Sequence, residues 1–324
     1  MRGVFLDTQT MAPESLDFSA LTATLPDWQL HDATAAGALQ ARLADADVVI
    51  TNKVVLDRAA LASAPRLKLV CVSATGTNNV DTEAARELGI PVCNVSGYAG
   101  PSVAQHTLAL MLGLATRWHE YRQDVQHGAW SRSPMFCLMH RPVVELHGKH
   151  LVIVGAGALG KAVATLAQAF GMRVTFAASL APGAPADPAR PPLQQLLPQA
   201  DWVSLHCPLT PDTQHLVDRG FLAQMPAHGF LINTARGGLV DEPALAEALR
   251  EGRIAGAALD VLGVEPPPAD HPLLAADIPN LLLTPHNAWV SRECRQRLLD
   301  GVTANIRAWQ AGRLENCVNG LEMA

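Results

Sequence analysis

No stretch of this 324-residue chain approaches the roughly 18–20 apolar residues that a membrane span needs. Residues 1–10 also lack the charged, apolar and small-residue succession of a secretion signal. Positive charge is not in excess. Lys plus Arg number 24 against 30 Asp plus Glu, a formal net charge of −6, so the chain lacks the overall field that draws phosphate backbones. Neither a membrane nor a nucleic acid is therefore expected as a partner. The six cysteines, at 71, 93, 137, 207, 294 and 317, include no Cys-x-x-Cys pair. At this length that pattern predicts free thiols in a reducing compartment, hence a cytoplasmic protein. Charged residues are scarce at 17% and hydrophobic ones reach 49%, which excludes disorder and supplies core for two domains. The tightest histidine cluster, His140, His147 and His150 behind Cys137, straddles Pro142 with no zinc-ligand spacing. Solvated or satisfied loop side chains are expected there, and no metal.

What is present is alternation. Val4–Leu6, Asp47–Ile50, Leu67–Val72 and Ile90–Val95 read as strands, and Thr34–Ala44, Leu56–Ala64 and Thr82–Leu88 as helices between them. Such alternation predicts a parallel sheet with crossover helices. From Pro101 a long helix is expected, with Ala104, Leu108, Met111, Ala115 and Trp118 on one face. Glu120–Lys149 is polar, interrupted by Pro134 and Pro142, and reads as a connection. Strands resume at Leu151–Val154, Arg173–Ala177, Trp202–His206, Phe230–Asn233, Ala257–Leu259 and Leu281–Thr284. Leu159, Val163, Leu166 and Phe170 share a predicted helix face that Gly171 terminates, and Pro243–Glu251 is a second helix opened by Asp241. The proline-rich stretch 181–198 reads as a surface loop leading into a short helix. A final helix over Ser291–Ala311 is expected to bury Leu299, Val302, Ile306 and Trp309. The pattern is α/β throughout: residues 101–288 form one parallel-sheet domain, inserted into another made of 1–100 and 289–324.

Gly155-Ala156-Gly157-Ala158-Leu159-Gly160 stands between an apolar strand and an amphipathic helix. In that context G-x-G-x-x-G predicts a dinucleotide site: a tight turn at Gly155, backbone approach to pyrophosphate at Gly157, and close packing at Gly160. The carboxylate that would grip the adenosine ribose at the end of the next strand is missing, since the chain reads Phe176-Ala177-Ala178-Ser179. Its absence admits NADP(H) as well as NAD(H). No Arg or Lys follows until Arg190, so a positive grip for a 2′-phosphate is absent too, and Ser179 is left to bond either cofactor form.

Three further islands follow predicted strands. Asn233-Thr234-Ala235-Arg236-Gly237-Gly238 places an Arg where a substrate carboxylate can be gripped in a fork, although a surface Arg in a turn is an equal reading of that island alone. Ala258-Leu259-Asp260-Val261 is followed by Glu265 and a run of three prolines. Thr284-Pro285-His286-Asn287-Ala288-Trp289 places a His directly after a strand and a proline. A His with a carboxylate partner can exchange a proton near neutral pH, as carbonyl reduction requires.

The order of these islands resembles the D-isomer-specific 2-hydroxyacid dehydrogenase family over nearly the whole chain. Ala74-Thr75-Gly76-Thr77-Asn78-Asn79-Val80-Asp81, Ser102-Val103-Ala104-Gln105-His106-Thr107 and Pro285-His286-Asn287-Ala288-Trp289 resemble its glycerate dehydrogenases, also called hydroxypyruvate reductases. The resemblance implies a Rossmann dinucleotide-binding domain inserted into a flavodoxin-like substrate domain, and a homodimer. It implies hydride transfer between NAD(P)H and a small 2-keto acid, hydroxypyruvate or glyoxylate, to give the D-2-hydroxy acid. His286 would protonate the carbonyl oxygen, Glu265 would hold its imidazole, and Arg236 would bind the substrate's oxygens. Backbone amides around Ala74, Thr75 and Gly76 would clasp the carboxylate. Besides Gly155, Gly157, Ala158, Leu159, Gly160 and Ser179, the cofactor would be lined by Cys207, Pro208, Thr234, Ala235 and Asp260.

Two residues depart from the pattern: Ala178 replaces the ribose acid, and Asn287 a small apolar residue. Trp289, Trp130 and Phe136 suit either a pocket wall or the core, with core or interface favoured for Phe136. A phosphoglycerate-type dehydrogenase is a rival, disfavoured by the few basic residues near the substrate loop and the short stretch after Gly312. A formate dehydrogenase would carry glutamine where Glu265 stands. A cofactor-sensing corepressor on the same fold is the remaining alternative, against which the full Arg–Glu–His set stands.

Overall fold

A computed structural model places residues 1–185 and 187–322. Short aliphatic runs are buried on both faces and must be covered by helices, and they assemble into two separate parallel sheets. The first contains β1 (Arg2–Phe5), β2 (Asp27–Leu30), β3 (Val48–Thr51), β4 (Leu69–Val72) and β5 (Val92–Cys93), in the order β2-β1-β3-β4-β5. This is the 2-1-3-4-5 order of a flavodoxin-like sheet. The second contains β6 (His150–Val154), β7 (Arg173–Phe176), β8 (Trp202–Leu205), β9 (Phe230–Asn233), β10 (Gly256–Leu259) and β11 (Leu281–Leu283). Its order is β11-β10-β9-β8-β6-β7. Strand β6 lies between β7 and β8, so the chain reverses its direction of progress there, which is the switch point of a Rossmann sheet.

By their contacts the residues form two units, one of Met1–Ala99 with the segment from Trp289 onward, the other of Gly100–Ala288. In the first, Phe5, Val48, Ile50, Leu69 and Cys71 pack against Leu298, Leu299, Val302 and Ile306 of the helix Arg292–Gln310. In the second, separate apolar layers cover the two faces of the sheet. Trp202 of β8 and Phe230 of β9 stack there with ring centroids 4.2 Å apart. No helix among the described residues is long and apolar enough to cross a membrane.

Several expectations are corrected. Strand β2 is not among the expected strands, because Asp27-Trp28-Gln29-Leu30 carries no aliphatic run. It is a half-exposed edge strand, and the Trp28 ring lies where a Cβ on Gly3 would stand. The helix from Gly100 stops at Thr116, since Arg117 adopts a left-handed φ of 51°. Trp118 therefore opens a separate helix, Trp118–Gln126, and is exposed rather than on a core face. That helix occupies the start of what reads as a connection, and its Glu120 and Asp124 pair with Arg141. Along Ala158–Ala169 the buried face is Gly160, Val163, Ala164 and Ala167. Small residues pack against Gly100–Thr116 there, leaving Leu166 and Phe170 exposed. Phe136 is 87% exposed, so it is not core, and Trp130 is exposed as well. Trp289 packs against the first unit's core. In the proline-rich stretch 181–198, the helix Leu193–Leu196 follows the loop, and Ala186 lies outside the described residues.

Candidate active site

The glycine turn sits at the switch point. Gly155 has φ +110°, and a Cβ on it would meet the His206 carbonyl at 2.5 Å. A Cβ on Gly160 would meet the Gly155 carbonyl at 2.1 Å, so these two positions need glycine for close approach. At Gly157 the same Cβ would meet nothing within 4 Å: space is left on the side where the helix begins. Gly157 caps that 12-residue helix without any side-chain acceptor for its first amides. An open turn and uncapped N–H groups at a helix start suit an anionic pyrophosphate. Across the turn Cys207 is buried, which pushes its thiol up, while Pro208 is exposed.

Arg236 follows β9. The Asn233 side chain closes this turn, donating from Nδ2 to the Arg236 carbonyl at 2.9 Å and accepting from the Ala235 amide at 3.0 Å. Thr234 and Ala235 are buried and Arg236 is exposed. Gly237 has no room for a Cβ, which would lie 1.9 Å from the Leu262 carbonyl carbon. The β9 turn is thereby seated directly on the segment leading to Glu265. That segment is held by the Gly263 amide donating to Glu242 Oε1 at 2.7 Å and by the Leu262 amide donating to Glu265 Oε1 at 2.8 Å.

The other oxygen of Glu265, Oε2, lies 2.5 Å from His286 Nδ1. His286 itself has a left-handed φ of 51°, an uncommon conformation for a side-chain-bearing residue. Asp260, 1% exposed, holds it there. The backbone carbonyl of Asp260 accepts from the His286 amide at 2.7 Å, and its carboxylate accepts from the amides of Asn287 and Ala288, both at 2.9 Å. The Thr284 hydroxyl adds a 2.6 Å bond to the same carboxylate, and His106 Nε2 lies 2.9 Å from that hydroxyl and 3.4 Å from Asp260 Oδ1. Burial pushes the Asp260 carboxyl up, but hydrogen bonds from His106, Thr284 and the two amides outweigh it and hold the group below its ordinary range.

Within one unit, then, the turns after β6, β9, β10 and β11 carry the glycines, Arg236, Asp260 with Glu265, and His286. Ala74, Thr75 and Gly76 belong to the other unit, after β4, where Thr75 is tied to Val95 and Asn94. Two participants escape the sequence reading, and a third is set aside by it as too distant from its strand. Glu242 carries only a helix-start signal. His106 enters only as part of a motif. Arg190 is far from β7 in sequence, yet its guanidinium reaches the carbonyl of Ala177, 13 residues earlier. The histidine cluster is dispersed: His150 bonds Thr175 and the Gln199 carbonyl, and His140 pairs with Asp124. Among the described residues no group of three or more His, Cys, Asp or Glu is placed to hold a metal ion. Asn287 contributes its amide to Asp260, and its Oδ1 is buried without a partner.

A Rossmann sheet with this turn at its switch point, and a carboxylate-backed histidine after the edge strand β11 of the same sheet, defines a dinucleotide-dependent oxidoreductase. Sequence comparison specifies it further. Residues 108–288 match the model of the D-isomer specific 2-hydroxyacid dehydrogenase, NAD binding domain, and the chain belongs to that family. It is 40% identical to the glycerate dehydrogenase of Methylorubrum extorquens, over 97% of this chain and 98% of the relative. With the hydroxypyruvate reductase of Blautia hydrogenotrophica it shares 37% identity, over 98% of this chain and all of that one. The solved TT0316 protein of Thermus thermophilus superposes with a TM-score of 0.84 at 36% identity, covering 98% of this chain and 100% of the other.

Proposed function

We propose that this protein reduces a small 2-keto acid, hydroxypyruvate or glyoxylate, to the D-2-hydroxy acid (achiral glycolate in the second case). The observation that carries the reading is the 2.5 Å contact of His286 Nδ1 with Glu265 on a turn clamped by Asp260. When bound, NAD(P)H supplies the hydride to C2. With Nδ1 directed at Glu265, the imidazole presents Nε2, and a proton carried there passes to the carbonyl oxygen, so hydride and proton complete the alcohol. Arg236 offers a planar fork to the carboxylate and carbonyl oxygens. The glycine turn, Ala158, Leu159, Ser179, Cys207, Pro208, Thr234, Ala235 and Asp260 are assigned to the dinucleotide. In this reading the inserted unit is the dinucleotide-binding domain and the other the substrate domain, with the amides of Ala74, Thr75 and Gly76 as carboxylate donors.

We assign the protein as a cytoplasmic homodimer. Among the described residues the six cysteines form no disulfide, which supports a reducing compartment. Exposed Trp118, Trp130, Met135, Phe136 and Met139 support a second copy covering this segment, since large exposed apolar side chains mark contact surfaces.

The test is the initial rate of NADH or NADPH oxidation with hydroxypyruvate, glyoxylate, pyruvate and phosphohydroxypyruvate. Turnover of hydroxypyruvate or glyoxylate is expected to exceed the other two. His286→Ala is expected to lower kcat by about 10²- to 10⁴-fold, the range for loss of a general acid, with cofactor affinity kept. A folded, cofactor-binding protein that turns over none of the four acids, or an active His286→Ala variant, refutes the assignment.

A further inference from the structure

In a dinucleotide-binding sheet the end of the strand after the glycine turn receives the adenosine ribose. A carboxylate there bonds the 2′-hydroxyl and repels a 2′-phosphate, whereas a nearby arginine accommodates the phosphate. Here that strand is β7, and Ala177, Ala178 and Ser179 follow it without a carboxylate.

The chain returns to this point. Arg190 donates from Nε and Nη2 to the Ala177 carbonyl at 3.0 and 2.8 Å, and the Ala178 amide donates to the Pro191 carbonyl at 2.9 Å. Three hydrogen bonds thus seat residues 190–191 on the end of β7. Pro188 before the arginine and Pro191 and Pro192 after it fix their own φ angles and stiffen the return. A guanidinium has five N–H donors, and two are used on Ala177, so three remain on its outer edge. Among the described residues no carboxylate pairs with Arg190. Its charge is neither neutralised nor free to wander. Two residues beyond Ala177, the Ser179 hydroxyl accepts from the Ala181 amide at 3.3 Å and keeps its own proton to donate.

We propose that Arg190 and Ser179 form a subsite for the 2′-phosphate of NADP(H), and that this subsite makes the enzyme prefer NADPH over NADH. The proposal rests on the reading of the glycine turn as the dinucleotide site and adds the form of dinucleotide it takes. The anchored fork compensates for the missing carboxylate at Ala178 from a different loop, so no basic residue is needed directly after β7.

Calorimetric titration of the whole protein with 2′,5′-ADP and with 5′-AMP isolates the 2′-phosphate from the rest of the cofactor. The wild-type protein is expected to bind 2′,5′-ADP about 10- to 100-fold more tightly, the factor carried by one hydrogen-bonded charge. Arg190→Gln keeps an N–H donor for the Ala177 carbonyl and removes the charge. It is expected to lose most of that preference while its affinity for 5′-AMP stays within about twofold. Arg190→Lys, which keeps the charge without the fork, is expected to fall between the two. The assignment is overturned if wild type binds both probes alike, if Arg190→Gln keeps the preference, or if it weakens both probes equally, as a mere loop clip would. These titrations need no keto acid. Selective binding of 2′,5′-ADP by a protein that reduces none of the four acids refutes the reaction proposed above and leaves this subsite standing. Reduction of hydroxypyruvate with NADH, by a protein indifferent to the 2′-phosphate, does the reverse.

Discussion

At the residue scale, Asp260 is the group on which the geometry of His286 depends. Its two oxygens face only donors, the Thr284 hydroxyl and the amides of Asn287 and Ala288, with His106 behind the hydroxyl. Asp260→Asn would turn an amide nitrogen towards one of these donors. A buried donor left unpaired costs about 1–3 kcal/mol, so the denaturant midpoint is expected to fall by a corresponding amount. If Asp260 positions His286, kcat falls with it while KM for the keto acid moves little. A loss confined to stability would show that the carboxylate does not act through His286. The sequence makes His286, Glu265 and Arg236 conspicuous, because each is a reactive side chain just beyond a predicted strand. His106 and Arg190 are not conspicuous. The partner of His106, Thr284, lies 178 residues away, and Arg190 is connected to β7 only by the fold of a loop.

Among the elements, the turns after β9 and β10 behave as one body because Gly237 lets them touch. A methyl at Gly237 would collide with backbone, at 1.9 Å from the Leu262 carbonyl carbon, and no flexible side chain can yield there. Gly237→Ala is expected to destabilise the protein by about 1–3 kcal/mol, as overpacking does, and to reduce kcat by displacing the segment that carries Glu265. Thermal melting beside steady-state kinetics checks both parts, and an unaltered kcat would uncouple the two turns. Elements are legible where burial is two-sided, as in Leu151–Val154, or where a cap is explicit, as at Asp241. They are obscure where burial is partial. Strand β2 has polar and aromatic residues at an edge, and the end of the long helix depends on one left-handed arginine. Leu166 and Phe170 hold the right spacing for a core face, but alanines take it because a neighbouring helix packs close.

At the scale of the whole molecule, acid is expected to destabilise the fold through a group outside the chemistry. Burial holds the His206 imidazole down at about 4, against an ordinary value of 6.5, and its Nδ1 is buried without a partner. Between those values the unfolded chain takes up a proton that the folded one refuses, so stability rises with pH across that window. The contribution is complete above 6.5 and lost as pH falls towards 4, a change of at most roughly 3 kcal/mol. His206→Gln is expected to flatten this part of the curve of melting temperature against pH, and an unchanged slope would assign it to other groups. The lowered carboxyl of Asp260 acts in the same sense at lower pH, where its protonation would release the turn of His286.

The chain leaves its first unit at Ala99 and returns at Trp289, and the helix Arg292–Gln310 supplies one layer of that unit's core. Synthesis therefore delivers the two units out of the order in which they start. The strands of residues 1–99 emerge first but must wait, with Phe5, Ile50 and Cys71 covered on one face only in part, by Met11, Leu21 and Leu25, until the helix Arg292–Gln310 leaves the ribosome. The inserted unit, continuous from Gly100 to Ala288, has all its strands available sooner. The unit begun first is thus the last able to mature, and until that helix arrives its partly covered face is a surface for chaperones to shield.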